Sequence, residues 1–405
     1  MTESSVANAT NRSRTVAIDS LLGLSLLIVL GVVFGLDGKS PPPELQQIAP
    51  VEVTTLEDEP SVPQEVEKPR RLAVTKPMYD DMGKLLQSLG GGYQYATLDL
   101  DELLDRVKLE QFDVLFLTCS GLPGSWFEKF LGDAERPGMS RGEMKPELLE
   151  RIRDNLRRFV EQGGTLYASD LMFSLVGNAF PESVDHSKLA TGKQQTVTAE
   201  AVDLGLHNML GSQIELKFDM AGWCPAAFTG QSVNILLRGP YETATGAQSD
   251  APLLVKFPVK EGTVIFSSFH NEKQNSELEL KLLRYLVFAT VLAKTEAKVT
   301  KTLVEGGFSP AGRSLLSATA EAPSVTQVHH CDKPGPLRFA LGFENRGAIL
   351  KLTVVGPSGK SFAKAGASSL SIDVPEAEVG DWKYTITAVK IPYENFPYAL
   401  TIGRK

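Results

Sequence analysis

The fold class this chain predicts is an α/β domain in three layers around a mostly parallel sheet, preceded by one membrane-spanning helix and followed by an all-β sandwich. Three observations predict it. Between residues 71 and 294 short apolar strands alternate with amphipathic helices, the order that builds a parallel sheet. From Ser324 onward alternating strands are separated by the turn signals PSG, EVGD and KIPYENFP, as in a small sandwich or jelly roll. Residues 20–36, SLLGLSLLIVLGVVFGL, form an uncharged apolar run as long as a bilayer core requires.

The 405 residues exceed one ordinary domain and accommodate two globular units with accessory segments. A net charge of −8 excludes a nucleic-acid surface, which needs clustered Lys and Arg. The three cysteines, Cys119, Cys224 and Cys331, are far apart and odd in number, so they make neither a disulfide framework nor a CxxC metal motif. No cofactor fingerprint is present.

In order along the chain, residues 1–19 carry Arg12 and Arg14 before the apolar run. The positive-inside rule therefore holds this end in the cytoplasm and exports the rest, as an uncleaved signal anchor of a single-pass inner-membrane protein. Residues 37–70 are rich in Pro and acid and read as an extended tether. The first strand is expected over Leu72 to Thr75, and Met78, Met82, Leu85, Leu86 and Leu89 recur at helical spacing until Gly90-Gly91-Gly92 stops the helix.

Strands follow at Tyr95 to Leu98 and Phe112 to Thr118, the second leading into Cys119, Ser120 and Gly121. The acids Asp99, Asp101, Glu102 and Asp105 complement the dipole of a short helix start rather than bind metal. A helix after Pro146 buries Leu148, Leu149, Ile152, Leu156, Phe159 and Val160, and Gly163-Gly164 launches the strand Thr165 to Ser169. Residues 184–260 are less regular, with strands expected at Gln213 to Phe218, Val233 to Leu237 and Leu253 to Phe257. Trp223-Cys224-Pro225 is a candidate pocket wall.

The stretch EGTVIFSSFHNE, residues 261–272, is a Gly-launched strand that delivers Phe269, His270 and Glu272 to its carboxyl end, where α/β folds keep their chemistry. A long apolar helix from about Ser276 to Lys294 closes the domain, and residues 295–323 read as a linker before the β-domain at 324–405. In the β-domain, strands are expected at Leu337 to Leu341, Ile349 to Val355, Ser369 to Val374, Trp382 to Val389 and Tyr398 to Ile402. His329 and Cys331 would share one strand face, but no third or fourth metal ligand accompanies them.

The strand order and the Phe-His-x-Glu segment resemble the class I glutamine amidotransferase-like superfamily, including its trehalose-utilisation-type (ThuA-like) branch and related domains of unknown function. The resemblance implies a flavodoxin-like fold over residues 71–294. It also implies a nucleophile elbow, a tight strand-to-helix turn, after Thr165 to Ser169. Here Ser169 and Asp170 are the candidates, neither is the family's Cys, and no Gly follows. The ending GDWKYTITAVKIPYENFPYALTIG resembles the C-terminal β-domains of secreted subtilisin-like proteases and pre-peptidase C-terminal modules. That resemblance implies pairing of the strand bearing Gly380 and Trp382 with the final strand bearing Pro397, Tyr398, Ala399 and Leu400.

Two functions follow as expectations. In the favoured one a non-catalytic amidotransferase-like domain binds a small molecule or a cell-envelope protein on the exported side, its pocket drawn from Cys119, Ser120, Gly121, Asp170 and Trp223. In the alternative a hydrolase uses Ser169 as nucleophile, His270 as base, Glu272 as orienter and backbone amides near Gly121 as oxyanion hole.

Overall fold

A computed structural model describes residues 53–55, 68–120, 146–184, 190–228 and 230–405, the first three by backbone alone. The expected membrane helix at 20–36 and Gly121 lie outside the described residues. Among the described residues no helix is long and apolar enough to cross a membrane.

Eighteen strands form three sheets among the described residues. The largest joins β2 (Leu72–Thr75), β3 (Tyr95–Leu98), β4 (Val114–Leu117), β5 (Thr165–Ser169), β6 (Gln195–Ala201), β7 (Gln213–Phe218), β8 (Asn234–Glu242), β9 (Gln248–Val259) and β10 (Gly262–Ser267) in the order β3-β2-β4-β5-β10-β9-β8-β6-β7. Its first five strands are parallel and run 2-1-3-4-5 counted along the chain, the order of doubly wound flavodoxin-like sheets. The other four pairings are antiparallel. The sheet is therefore evenly mixed rather than mostly parallel. The chain between β5 and β10, which reads as irregular in sequence, turns back on itself through β6 to β9 and widens the sheet without crossover helices.

Two apolar layers cover the sheet because successive strand residues face opposite ways. Leu72, Val74, Val114, Phe116 and Ile265 pack with helices α1 (Met82–Ser88), α5 (Leu204–Leu210) and α6 (Glu277–Val291). Ala73, Leu115, Leu117, Leu166 and Val264 pack with α3 (Pro146–Glu161) and α4 (Phe173–Ala179) on the other face. A short α2 (Arg106–Leu109) is capped by Asp105, whose side chain accepts from Lys108 N. Gly262 starts β10 against the Val160 and Gly164 carbonyls, where a Cβ would overlap both. That close approach seats the α3 end beneath β10 and sets β10 in register with β5, Ser267 opposite Ser169.

The C-terminal region is a sandwich of two antiparallel sheets enclosing its own core of Leu337, Phe339, Leu350, Leu352, Trp382, Tyr398 and Leu400. One sheet orders β1 (Val53–Thr55), β15 (Ser361–Gly366), β14 (Ile349–Val355), β17 (Gly380–Lys390) and β12 (Ser324–Cys331); the other orders β11 (Ser309–Ala318), β18 (Phe396–Arg404), β13 (Gly335–Gly342) and β16 (Leu370–Ala377). Trp382 on β17 and Tyr398 on β18 both enter the core, but from opposite sheets. The two strands do not pair with each other, contrary to the expectation carried by the C-terminal resemblance. The chain crosses between sheets through residues 391–395.

Two expected linkers contain structure. Residues 53–55, within the tether, add a parallel edge strand to β15. Residues 295–323 contain most of α7 (Ala293–Glu305) and all of β11, which pairs along its length with β18. Pro310 and a register shift at Gly312 interrupt the alternation that would mark β11 as a strand.

Strand β11 also joins the two domains, since Leu315 belongs to the α/β core while Leu316 packs on the sandwich core. The Gly90-Gly91-Gly92 turn has a second use: a Cβ on Gly92 would overlap the ring of Tyr393 from the β-domain. Tyr93 meets Tyr393 edge-on at 5.8 Å and donates to Asn395 O at 2.6 Å, while Asn395 Nδ2 donates to Leu89 O at 3.0 Å. Deeper in the same interface, buried Glu296 pairs with Lys256 at 2.7 Å and with Arg313 at 2.8 Å.

Candidate functional site

The parallel strands β2, β4, β5 and β10 lie side by side, so the residues that follow them collect at one sheet edge. Those residues include Asp80, Cys119, Asp170 and His270. Ser169 is extended, with φ −128° and ψ 143°, while Asp170 has φ +43° and begins a turn that leads into α4. The elbow residue is therefore Asp170. Left-handed backbone costs a non-glycine residue about 1–2 kcal/mol, and the carboxylate helps to hold it there. Asp170 Oδ1 accepts the Cys224 N–H at 2.7 Å.

Asp170 Oδ2 faces two further groups. The Cys119 thiol donates to it at 3.5 Å, and His270 Nε2 lies 3.2 Å away. The Nε2 contact lacks hydrogen-bond alignment, and this buried nitrogen has no hydrogen-bond partner among the described residues. Across the ring, Nδ1 lies 2.8 Å from Asp219 Oδ1. Burial lowers the imidazole pKa, but Asp170 above all, then Asp80 and Asp219, outweigh it and raise it to about 9. Burial, reinforced by the Asp170 charge, pushes the Cys119 thiol well above its ordinary value, so it is no ready thiolate.

Asp80, 1% exposed, organises the floor of the site. Its Oδ1 accepts the N–H groups of Asp81 (3.0 Å), Asn271 (2.9 Å) and Glu272 (3.1 Å). Its Oδ2 accepts from Asn271 Nδ2 at 2.7 Å and from the Ser169 hydroxyl at 3.3 Å. Burial raises its pKa despite these donors. Tyr167 ties Ser267 (2.7 Å) to Asn271 (3.0 Å) below it and fixes the end of β10.

Only some of the residues singled out in the sequence come together. Cys119, Asp170 and His270 do. Ser169 does not join them: its oxygen accepts the Cys119 N–H at 3.0 Å and its hydroxyl is directed at Asp80 rather than at the imidazole. Glu272 turns outward and pairs with Lys84 at the surface, leaving Asp219 to orient His270. Ser120 is buried beside Cys119, its hydroxyl without a hydrogen-bond partner among the described residues. Trp223 stacks on Phe218 at 3.8 Å and donates to Lys193 O at 2.7 Å.

Sequence reading missed Asp80 and Asp219. Each stands shortly after a strand, Asp80 in TKPMYDD after β2 and Asp219 immediately after β7, and that placement is their one local signal.

The cavity at the site measures about 10 Å³ and is lined by Asp170, Phe218, Asp219, Met220, Trp223, Ser268 and His270. That is about the volume one water or ion fills. An imidazole between two carboxylates can hold a positive charge there. Among the described residues no hydroxyl or thiolate is aligned for it to activate.

No protein-family model matches this chain, and no curated protein matches it. Solved structures do resemble it distantly. A putative GMP synthase component from Thermoplasma acidophilum is 10% identical over 57% of this chain and 99% of that one, with a TM-score of 0.37. A glutamine amidotransferase from Thermotoga maritima is 10% identical over 59% and 87%, with a TM-score of 0.33. A β-galactosidase from Bacillus circulans is 11% identical over 78% of this chain and 41% of that one, with a TM-score of 0.32. Glutamine amidotransferase-like structures are thus among its neighbours, at distances that assign no chemistry.

Proposed function

We propose that this chain is a non-catalytic, amidotransferase-like scaffold, carried on an N-terminal membrane anchor, that presents its two joined domains to a protein partner in the cell envelope. The observation that carries the reading is the elbow. A carboxylate, Asp170, occupies the turn where the resembled superfamily keeps its nucleophile, and it is held by Cys224 N–H and faced by His270. The cavity formed by the described residues there is small, about 10 Å³. Support for a scaffold comes from the interface, where Tyr93, Asn395, Glu296 and Arg313 join the α/β domain to the sandwich. Support for anchoring comes from the uncharged run at residues 20–36 and the arginines before it.

Two measurements test it. Ammonia release from glutamine by the purified full chain should not exceed the uncatalysed rate; release that is lost in His270→Ala overturns the non-catalytic reading. A cysteine placed in the exposed turn at Ser358, in cells expressing the full chain, should react with a membrane-impermeant maleimide. Protection until the membrane is permeabilised overturns the topology.

A further inference from the structure

Three side chains of the elbow cluster offer donor atoms of different chemistry to one point. Cys119 Sγ, Asp170 Oδ2 and His270 Nε2 all lie within 4.8 Å of one another, and all three residues are buried. Zinc bound to sulfur at about 2.3 Å and to nitrogen or oxygen at about 2.0 Å in a tetrahedron separates S from O by about 3.5 Å and N from O by about 3.3 Å. The observed separations are 3.5 Å from Cys119 Sγ to Asp170 Oδ2 and 3.2 Å from His270 Nε2 to Asp170 Oδ2. Two of the three donor separations thus match the edges of a zinc tetrahedron, and the third lies within 4.8 Å.

The orientation of His270 points the same way. His270 is 5% exposed, and its Nε2 faces the cluster with no hydrogen-bond partner among the described residues. Zinc would take the place of the Nε2 proton, leaving Nδ1–H to donate to Asp219, as the second nitrogen of a metal-bound histidine does to a carboxylate. The carboxylate ligand is fixed in the same manner, its second oxygen taken by Cys224 N–H. A thiolate and a carboxylate would neutralise the divalent cation itself.

We propose that Cys119, Asp170 and His270 form a three-ligand zinc(II) site at the carboxyl ends of β4, β5 and β10, with water in the fourth position. The adjoining cavity of about 10 Å³ accommodates that water, and the buried hydroxyl of Ser268, which lines it and has no partner among the described residues, receives it. Sulfur, nitrogen and oxygen donors in tetrahedral array suit zinc rather than magnesium or calcium, which take oxygen. Its ligands follow three neighbouring strands, so the ion acts as a staple across them. This goes beyond the scaffold reading and does not depend on it.

The test uses the purified full chain, stripped with a chelator and titrated with cobalt(II) as the spectroscopic substitute for zinc. One equivalent should give a thiolate-to-cobalt charge-transfer band with the intense visible bands of four-coordinate cobalt, and zinc should abolish both. Cys119→Ser should lose the charge-transfer band, whereas Cys331→Ser should retain it. Asp219→Asn, which removes only the orienting carboxylate, should keep the band and weaken binding about 10–100-fold, and His270→Gln should weaken it further. Far-UV circular dichroism checks that each variant is folded. The proposal is overturned if the wild type develops no thiolate band, or if folded Cys119→Ser keeps it or folded His270→Gln binds as tightly as wild type. The wild-type titration decides even if a variant fails to fold.

Discussion

Replacing Glu296 by alanine is the perturbation whose size the structure determines best. Glu296 sits on α7 with its side chain 6% exposed, between Lys256 of β9 at 2.7 Å and Arg313 of β11 at 2.8 Å. It thereby holds together the mixed sheet, the connecting helix and the sandwich. The alanine variant leaves two cations in a desolvated interface, one of them with its side chain only 12% exposed. Removing one partner of a buried ion pair costs about 3–5 kcal/mol, a large share of the roughly 5–15 kcal/mol that holds a domain folded.

The effect also depends on pH. Burial alone would raise the Glu296 pKa, but Lys256 and Arg313 outweigh it and hold the carboxyl below its ordinary value of 4.5. A carboxyl whose folded pKa is depressed contributes its full stability above the unfolded pKa and loses it as pH falls through the folded one. The difference between wild type and Glu296→Ala should therefore be greatest near neutral pH and shrink below 4.5. Urea unfolding followed by tryptophan fluorescence, which reports Trp223 in the α/β domain and Trp382 in the sandwich, measures it. A loss under about 1 kcal/mol at neutral pH, within the range of an exposed pair, would refute the reasoning.

Three smaller predictions follow from the same interface and from the site floor. Gly92→Ala places a methyl in the Tyr393 ring and should cost about 1–3 kcal/mol, read as a lower urea midpoint; an unchanged midpoint would mean that the turn does not dock there. Tyr93→Phe removes the hydroxyl bound to Asn395 O and should cost about 0.5–1.5 kcal/mol in the same assay. Ser169→Ala deprives the buried Cys119 N–H of its acceptor and should cost about 1–3 kcal/mol; no measurable loss would show that Ser169 does not support the elbow.

Much of the frame was legible because local pattern and tertiary role agree. The run TVIFS reads as a strand and forms β10, and Ser276 with Glu279 caps α6 with the reciprocal hydrogen bonds of a capping box. Strand β7 and strand β14 fall on the residues that alternation marks. The remainder depends on partners far away in sequence. Strand β6, QTVTAEA, alternates clearly, but its buried face is only the small Val197, Ala199 and Ala201, placed by pairing with strands β7 and β8.

At the site, the choice between Ser169 and Asp170 is a matter of one φ angle, which composition does not encode. Asp219 reaches His270 from across 51 residues, whereas Glu272, close in sequence, turns outward to Lys84. The Phe-His-x-Glu resemblance therefore pointed to Glu272, whereas the carboxylate at the His270 ring is Asp219.

The central claim is that the elbow carries a buried carboxylate and no activated nucleophile. It is tested most directly by incubating the native full chain with a chloroketone analogue of glutamine and mapping adducts by peptide mass spectrometry. The account predicts no modification of Cys119, Ser169, Asp170 or Cys224, because all four are buried and the Cys119 thiol is held protonated. An adduct on Cys119 or Ser169 that disappears in His270→Ala would contradict it.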